Sequence, residues 1–507
     1  MKSRIRSVLV IITLLMASLS LVSAQDSVPR INLTFDQALE MTRQNSHVLK
    51  QSQYHVNEKE QAAKAARNLF LPKVGIIADY SIMSDPLTLD LTPVKNAITP
   101  LYSTLANYGT FSGLTSGGVT LSDQLSTTYI RKALGSGLTD LEKANWNEMI
   151  QERRFAVIAA TAQWPIFTGG KIWAANKAAN IEKNEAGEVS RQKEGELQSE
   201  LVERYFGLCL AKQAVKVRKE VFDGMENHLH DAEKMQKDGF IANAEVLQAK
   251  LYHSQADREL KKAKRNVGII NEALVNTLAL ENDTIIEPST ELFYLDSIEP
   301  VENFKSLAID KNPLFQQVES KRLLAEQNYK VQLAEYFPTV ALQGSYNLWD
   351  YQLSTYIPNW TVGVGLKWTI FDGTTRYRKM REASFKSNQV DEAKQKTKSD
   401  VETAIYKLYN ELNIYREQLL ELETAQSFAD EYLRVREKAF HEQMSNSTEV
   451  VDARLALAQV RIERLQAMYG YDLTLARLLQ YAGVPEEFST YRQRNTAKTE
   501  SAINPIK

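Results

Sequence analysis

Histidines come first among residues that could do chemistry: His47, His55, His228, His230, His253 and His441. A metal site needs imidazoles that share a face. His228 and His230 are two residues apart, which on a helix points them in different directions. The chain has no nucleophile elbow, P-loop, zinc-ligand spacing or dinucleotide loop. The expectation is therefore no enzyme, no cofactor and no metal. Cys209 is the single cysteine, so no internal disulfide can form. It reads as a small helix-packing residue. Two other pairs have usable spacing: Glu245 with Gln248, and Glu449 with Asp452. Residues three apart share one helix face. Acids in the first turn of a helix also favour its positive end, by about 0.3–1 kcal/mol.

Charge excludes one class of partner. With 24% charged residues, a net charge of −2 and a pI near 6.4, the chain has no electrostatic case for nucleic acid. The basic run Lys261-Lys262-Ala263-Lys264-Arg265 has Glu259 beside it and reads as a solvated helix face. Mean hydropathy is −0.36, and no run of about 18 apolar residues predicts a transmembrane helix.

The elements that position these residues are a strand and the helix it feeds. From Trp360 to Gly373 the apolar residues Trp360, Val362, Val364, Leu366, Trp368 and Ile370 fall on alternate positions. Thr361, Gly363, Gly365, Lys367 and Thr369 fall between them. A period of two is a strand with one apolar and one polar or small face. Trp360 and Trp368 lie about 26 Å apart on such a strand. Apolar outside, small or polar inside, with aromatics near both interfaces, is the form of a transmembrane β-strand. Asp372-Gly373 ends it. From Thr375 to Phe440 there is no Pro or Gly, and twelve positions from Val401 to Phe440 alternate in spacing by four and three. Ten are apolar; the exceptions are Gln426 and Arg436. This is a coiled-coil seam on a helix about 100 Å long.

The same joint occurs earlier. Gln163-Trp164-Pro165-Ile166-Phe167-Thr168-Gly169 parallels Lys367-Trp368-Thr369-Ile370-Phe371-Asp372-Gly373 at an offset of 204 residues. At the same offset, Glu245-Val246-Leu247-Gln248-Ala249 parallels Glu449-Val450-Val451-Asp452-Ala453. Two matches at one offset predict two copies of one unit.

In chain order, residues 1–24 read as a signal peptide, with Lys2, Arg4 and Arg6 before an apolar run and Val22-Ser23-Ala24 as the cleavage site. Residues 25–280 form the first repeat. It has a helix capped by Thr34 and stopped at Pro72, strands at 72–84 and 154–168, and a helical hairpin at 171–280. The loop 85–153 between the strands has no sustained period and admits short helices near 123–134 and 139–150. Long loops on one side are normal in outer-membrane barrels. The first long helix carries its seam on Leu208, Ala211, Val215, Phe222, Met225, Leu229 and Ala232. Residues 281–300 are an irregular linker. The second repeat, 301–484, has a helix stopped at Pro338, strands at 339–349 and 359–371, and a hairpin at 375–482 turning at Gln443-Met444-Ser445-Asn446. A polar tail, 485–507, is expected to be disordered beyond about Phe488.

Four strands cannot close a membrane barrel, since single-chain barrels start at eight. An open edge in lipid leaves backbone groups unpaired, so the barrel must be shared: eight strands in a dimer, twelve in a trimer.

The helix–strand–strand–long helix–turn–helix unit, present twice, resembles the TolC family of outer-membrane efflux proteins. The resemblance rests on the joints at Trp164 and Trp368, the helix ends Phe70-Leu71-Pro72 and Tyr336-Phe337-Pro338, and the turn motifs after Gly239 and around Glu449. It spans about residues 33–484. It implies a mainly α fold with a transmembrane β-barrel, a homotrimer with a 12-stranded barrel in the outer membrane of a Gram-negative bacterium, and a long periplasmic coiled-coil barrel. It also implies a passive conduit of a tripartite efflux or type I secretion system, docked to a periplasmic adaptor (membrane fusion protein) and an inner-membrane pump. Adaptor contact is then expected at Gly239, Phe240, Ile241, Met444 and Ser445. Outer-membrane lipid is expected against Trp164 and the Trp360–Ile370 face. The resemblance places Glu449 and Asp452, with Glu245 and Gln248, at the periplasmic aperture. Three copies of Glu449 and Asp452 would ring a narrow pore that repels anions and attracts cations. The rival reading, a periplasmic coiled-coil adaptor or scaffold without transport activity, would put lipoyl-like and β-barrel domains beside the hairpin.

Overall fold

The computed structural model describes residues 29–281, 283–442 and 444–500. The expected signal peptide and Gln443 of the second turn lie outside the described residues. In chain order the elements are β1 (Arg30–Leu33), α1 (Phe35–Asn45), α2 (His47–Arg67), β2 (Lys73–Ile82), β3 (Leu87–Asp90) and α3 (Thr92–Tyr108). There follow β4 (Thr115–Ser116), β5 (Val119–Thr120), α4 (Asp123–Lys143), β6 (Asn147–Gln151), β7 (Arg154–Phe167), α5 (Lys171–Lys237) and α6 (Asn243–Leu278). Next are β8 (Ile285–Pro288), β9 (Phe293–Leu295), α7 (Val301–Lys311), α8 (Pro313–Ala334), β10 (Thr339–Tyr351) and β11 (Trp360–Lys367). The chain closes with α9 (Thr375–His441), α10 (Ser447–Ala482), α11 (Phe488–Arg492) and β12 (Ala497–Thr499). The fold is mainly helical.

The chain divides into two compact units. The first holds residues up to 64, 175–329 and 381 onward. Its helices form two hairpins of equal dimensions: α5 and α9 have 67 residues each, and α6 and α10 have 36 each. Val401, Ile405, Leu412, Leu419, Leu422 and Phe440 are buried along α9, as the four-three spacing requires. On α5, Leu208, Ala211, Met225 and Ala232 are buried, and so is a second row, Val217, Val221, Gly224 and His228. This row packs toward α10: His228 meets Ser447, and Gly224 faces Arg454. A helix with neighbours on two sides needs two seams, and the second contains a glycine and a histidine that hide it from an apolar count.

The core of this unit is aromatic. Phe35, Tyr205, Phe206, Phe293, Tyr471 and Phe488 are essentially inaccessible, with ring centroids 5.3 Å apart for Phe35–Phe488 and 5.7 Å for Phe293–Phe488. Such pairs contribute about 0.5–1.5 kcal/mol beyond their area burial. Thr34 caps α1 in a reciprocal box with Gln37, satisfying two orphan donors.

Four expectations need correction here. The linker 281–300 is not irregular: β8 pairs in parallel with β1, and β9 pairs antiparallel with β12. Both partners lie far away in sequence, so no local period announces them. The tail is ordered through residue 500. Phe488 and Tyr491 are buried and Arg494 pairs with Glu299 at 2.8 Å, so two aromatic anchors hold a polar stretch. The first helix breaks at Ser46, the C-cap of α1. The one after the linker breaks at Asn312, ahead of Pro313, because a residue preceding proline avoids the helical region.

The second unit holds residues 65–174 and 330–380. Its main element is an antiparallel sheet in the order β11-β10-β7-β2, with β11 and β2 as open edges. The expected loop 85–153 is an ordered insert between β2 and β7: β3 pairs with β6, and α3 lies on α4. The two short helices expected near 123–134 and 139–150 are one, because Gly137 is not a break. It sits inside one continuous helix against the Tyr102 ring, 3.5 Å from where a Cβ would lie, an ordinary contact distance. Helix α3 was not expected, because Pro93 and Pro100 mask it. Pro93 occupies the first turn, where no donor is lost, and Pro100 lies inside the helix.

Candidate channel surfaces

Strand register sorts the sheet into two faces. Trp360, Val362, Val364 and Leu366 of β11 pair with Tyr346, Gly344, Leu342 and Val340 of β10. These continue onto Ala160, Ala162 and Trp164 of β7, and then Val74 and Ile76 of β2. The face between them carries Thr361, Gly363 and Gly365, then Ser345 and Gln343, then Thr161 and Gln163, then Gly75 and Lys73. The first face is apolar yet open: Val74 is 76% exposed, Val362 65% and Val364 66%. A contiguous apolar face of this kind is unlike the surface of a soluble monomer.

Beyond the sheet the structure departs from expectation. Strand β11 ends at Lys367, so Trp368 and Ile370 lie past it, exposed but unpaired in the ladder. The reason is a specific lock. Trp368 Nε1 donates to the Tyr336 carbonyl at 3.2 Å, and Trp164 Nε1 donates to the Phe70 carbonyl at 2.8 Å. Each indole thus satisfies a backbone acceptor where the preceding helix ends. Gly169 and Gly170, with φ of +64° and +93°, turn the chain after Trp164; Gly373 and Thr374, at +68° and +70°, do so after Trp368. Alanine at Gly169 would put a Cβ 2.5 Å from the Ala334 carbonyl oxygen. Arg376, which the sequence reading missed, cinches the later turn. Its backbone N and Nε both donate to Asp372 Oδ2 at 3.0 Å, and Nη1 and Nη2 reach the carbonyls of Glu335 and Ile370 at 3.1 Å.

In the other unit, the hairpin ends place the remaining candidates. Gly239, with φ of +80°, closes α5, and Phe240 N donates to the Met235 carbonyl at 2.8 Å. At the offset of 204, Met444 N donates to the Ala439 carbonyl, also at 2.8 Å. These six-to-one bonds satisfy helix-end carbonyls. They leave Phe240 and Met444 as equivalent apolar tips, 61% and 70% exposed. Ile241 does not join them. It packs inward on Ala232, Val246 and Ala249. Ser445 also turns inward, its Oγ donating to Glu449 Oε2 at 2.7 Å.

The four aperture candidates fall on two helix starts. Asn446 caps α10 by accepting from Glu449 N at 3.0 Å. Glu449 Oε2 then receives Arg436 Nη1 at 2.7 Å, from the preceding helix of the hairpin. Gln248 Nε2 donates to Thr448 Oγ1 at 2.9 Å, tying the start of α6 to that of α10. The structure thus brings Gln248 beside the residue preceding Glu449. Asp452 is exposed and makes no ion pair among the described residues. Glu245 is half-buried in the first turn of α6.

Behind them runs a polar interior that the sequence reading also missed. His228 Nε2 and Ser447 Oγ are 2.5 Å apart, and the imidazole lies tilted against the Phe440 ring, centroids 4.8 Å apart. Burial, with Arg454 nearby, pushes the His228 pKa down to about 4. Arg454 pairs with Glu437, and its guanidinium occupies the space that a Cβ on Gly224 would need. A signal for part of this was present. Of the two polar exceptions in the α9 seam, Gln426 accepts from Arg464 at 2.7 Å and Arg436 pairs with Glu449. A polar residue in an apolar seam calls for a partner on the facing helix.

The family model for outer membrane efflux proteins matches residues 144–280 and 305–484, well over half of the chain. The chain belongs to this family. It is an outer-membrane efflux channel with a large periplasmic helical part, and the adaptor or scaffold reading has no support. No curated protein matches it. Among solved structures, a membrane protein from Pseudomonas aeruginosa is 14% identical, with a TM-score of 0.66 over 89% of this chain and 90% of that one. The outer membrane protein VceC from Vibrio cholerae is 14% identical, with a TM-score of 0.65 over 89% and 96%. The open state of the MtrE outer membrane channel from Neisseria gonorrhoeae is 13% identical, with a TM-score of 0.65 over 89% and 89%. At such identities the likeness is one of fold.

Proposed function

We propose that the channel works as a passive homotrimeric conduit in which three copies of the sheet close a 12-stranded transmembrane barrel. The observation that carries this is the sheet itself: four antiparallel strands with one face apolar and open, and both edges unpaired. In lipid each free backbone group would cost several kcal/mol, so β11 of one subunit pairs with β2 of the next. No described helix is long and apolar enough to cross a membrane. The lipid face is then Trp360, Val362, Val364, Leu366 and Trp164, with Trp368 and Ile370 at its periplasmic margin. The helices offer matching edges. Leu247, Leu251 and Ile269 on α6, and Ile414, Phe428 and Val435 on α9, are apolar and exposed in the single chain. Joined around a threefold axis, the two hairpins of each chain, copies of one repeat, give a tunnel wall.

The conduit serves a tripartite efflux or type I secretion assembly. Its hairpin tips, led by Phe240 and Met444, meet a periplasmic adaptor, which couples it to an inner-membrane pump. Asp452 and Glu449, with Glu245 and Gln248, line the periplasmic aperture. Native mass measurement of detergent-extracted protein should give a trimer, and a monomer that keeps its β-content would refute the shared barrel. A photocrosslinker at Phe240 should capture an adaptor in cells; capture of sibling subunits alone would remove the docking role.

A further inference from the structure

Two exposed stripes of opposite charge lie on different helices of the first unit. On α6, Arg258, Lys262 and Arg265 are exposed and sit four and three residues apart. They share one side of the helix with Leu251 and Ile269. That side is opposite the seam α6 buries, formed by Val246, Ala249, Ala256 and Leu260. On α9, Ile414, Glu417, Glu421, Phe428 and Val435 are exposed and fall on one four-three stripe. It is opposite the buried Leu412, Leu419 and Gln426. One stripe therefore reads apolar, basic, apolar, and the other apolar, acidic, apolar. Like charges at i and i+4 repel, as do Arg258 with Lys262 and Glu417 with Glu421. Among the described residues no ion pair within the chain relieves either pair; of the neighbouring bases, Lys261 is taken by Asp257 at 2.6 Å.

The stripes also stand at matching heights. Gln248 reaches Thr448, which sets the starts of α6 and α10 level, and α10 follows α9 after a short turn. Counted from Asn243, the first residue of α6, Leu251 is eight residues along, Arg258 fifteen, Arg265 twenty-two and Ile269 twenty-six. Counted back from His441, the last residue of α9, Val435 is six away, Phe428 thirteen, Glu421 twenty and Ile414 twenty-seven. Offsets of one or two residues are about 1.5–3 Å. Gly470 fixes the far end independently. It faces the Tyr415 ring, and it lies as far beyond Thr448 as Ile270 lies beyond Gln248.

We propose that these charges are the register lock between neighbouring subunits. Helix α6 of one subunit lies antiparallel to α9 of the next, with Arg258, Lys262 and Arg265 against Glu417 and Glu421. Leu251 then meets Val435, and Ile269 meets Ile414. This rests on the trimeric reading above. Complementarity between two different patches of one chain selects a second copy, because a ring interface joins unlike patches. Subunits of a ring share one height, so only residues at equal heights can meet, and these do. A solvated stripe has no reason to match another in sign, order and height. Farther from the turns the signs reverse on both helices, to Glu272 on α6 and Lys407 on α9, both exposed. Such complementary charges fix register and suppress wrong pairings.

The test is the full-length channel carrying Leu251→Cys together with Val435→Cys. The native thiol, Cys209, is buried and its thiolate is disfavoured by burial, so the introduced thiols are the reactive ones. Mild oxidation in membranes should give covalent dimers and trimers on a denaturing gel, while either single variant stays monomeric there. Adding Arg265→Glu to the pair should lower the crosslinked yield severalfold, and adding Glu421→Arg as well should restore it. A trimer by native mass that gives no crosslinked ladder overturns the inference and leaves the trimeric reading standing. A ladder whose yield ignores both charge reversals overturns it too, since the charges would then set no register. A monomer by native mass for the unaltered channel would refute the trimeric reading and this inference together.

Discussion

Val364→Arg separates a membrane sheet from a soluble one. Val364 lies near the middle of β11, opposite Leu342, which is in turn opposite Trp164. It is 66% exposed in the single chain, so replacing it removes little packing within the subunit. If this face met water, an exposed arginine there would change stability by no more than about 0.5 kcal/mol. Against hydrocarbon near the bilayer midplane the cost is about 2–4 kcal/mol per chain. A loss of 2.8 kcal/mol is about a hundredfold in the folded-to-unfolded ratio, since about 1.4 kcal/mol is tenfold. Thr361→Arg is the control. Thr361 sits opposite Ser345, which is opposite Thr161 and then Gly75, on the face that would line the lumen. There the guanidinium stays in water. The assay is refolding from urea into lipid vesicles, read as the fraction of barrel-protected protein, with outer-membrane yield in cells as a second measure. Equal losses for the two variants would refute the assignment of faces, and a negligible loss for both would refute the membrane reading of the sheet.

Three further outcomes are expected. In planar bilayers, replacing Glu449 with Ser and Asp452 with Ala should lower cation selectivity, while Arg436→Gln, which strips the partner from Glu449, should raise it; unchanged selectivity in both would leave these residues only a role at the helix start. Gly483 has φ of +80° and its Cβ would lie 2.5 Å from the Lys311 carbonyl carbon, whereas Gly239, also at +80°, faces open space. Gly239→Ala should therefore cost about 1 kcal/mol for the left-handed backbone alone, and Gly483→Ala about 2–4 kcal/mol once the clash is added, as read from denaturation midpoints. The third concerns His228, whose folded pKa of about 4 lies below the ordinary 6.5. The unfolded chain binds its proton first as pH falls, so the contribution is complete above about 6.5 and declines toward pH 4. Protection of the amides around Ser447, taken relative to the intrinsic exchange rate at each pH, should fall across that window, and a His228→Gln chain should respond much less.

Periodicity alone reached a great deal of this protein. Local patterns fix an element when the burial they record comes from one direction. The alternation from Trp360 to Leu366 records one apolar face, and it reappears as strand β11 with the expected register of faces. The four-three seam of α9 records one packing partner, and Val401, Ile405, Leu412, Leu419, Leu422, Gln426 and Phe440 are buried along it while the other seam positions are half-buried. The 204-residue offset, shared by the strand-to-helix joints and the turn motifs, predicts hairpins of matching length, and both have helices of 67 and 36 residues.

What the sequence could not carry was contact between distant parts of the chain. Strands β8 and β9 are too short to show a period, and they exist because β1 and β12 lie beside them. The order of the tail depends on Phe488 and Tyr491 finding the aromatic core. The second seam of α5 needs α10, and its glycine and histidine make sense only with Arg454 and Ser447 in place. The acids proposed for the aperture show the division most sharply. Their spacing and position at a helix start were legible in residues 445–452. That Glu449 is held by Arg436, that Gln248 reaches Thr448, and that Ile241 turns inward were set by which helix faces which. A charge reads as free in a sequence, and only the folded chain supplies its partner.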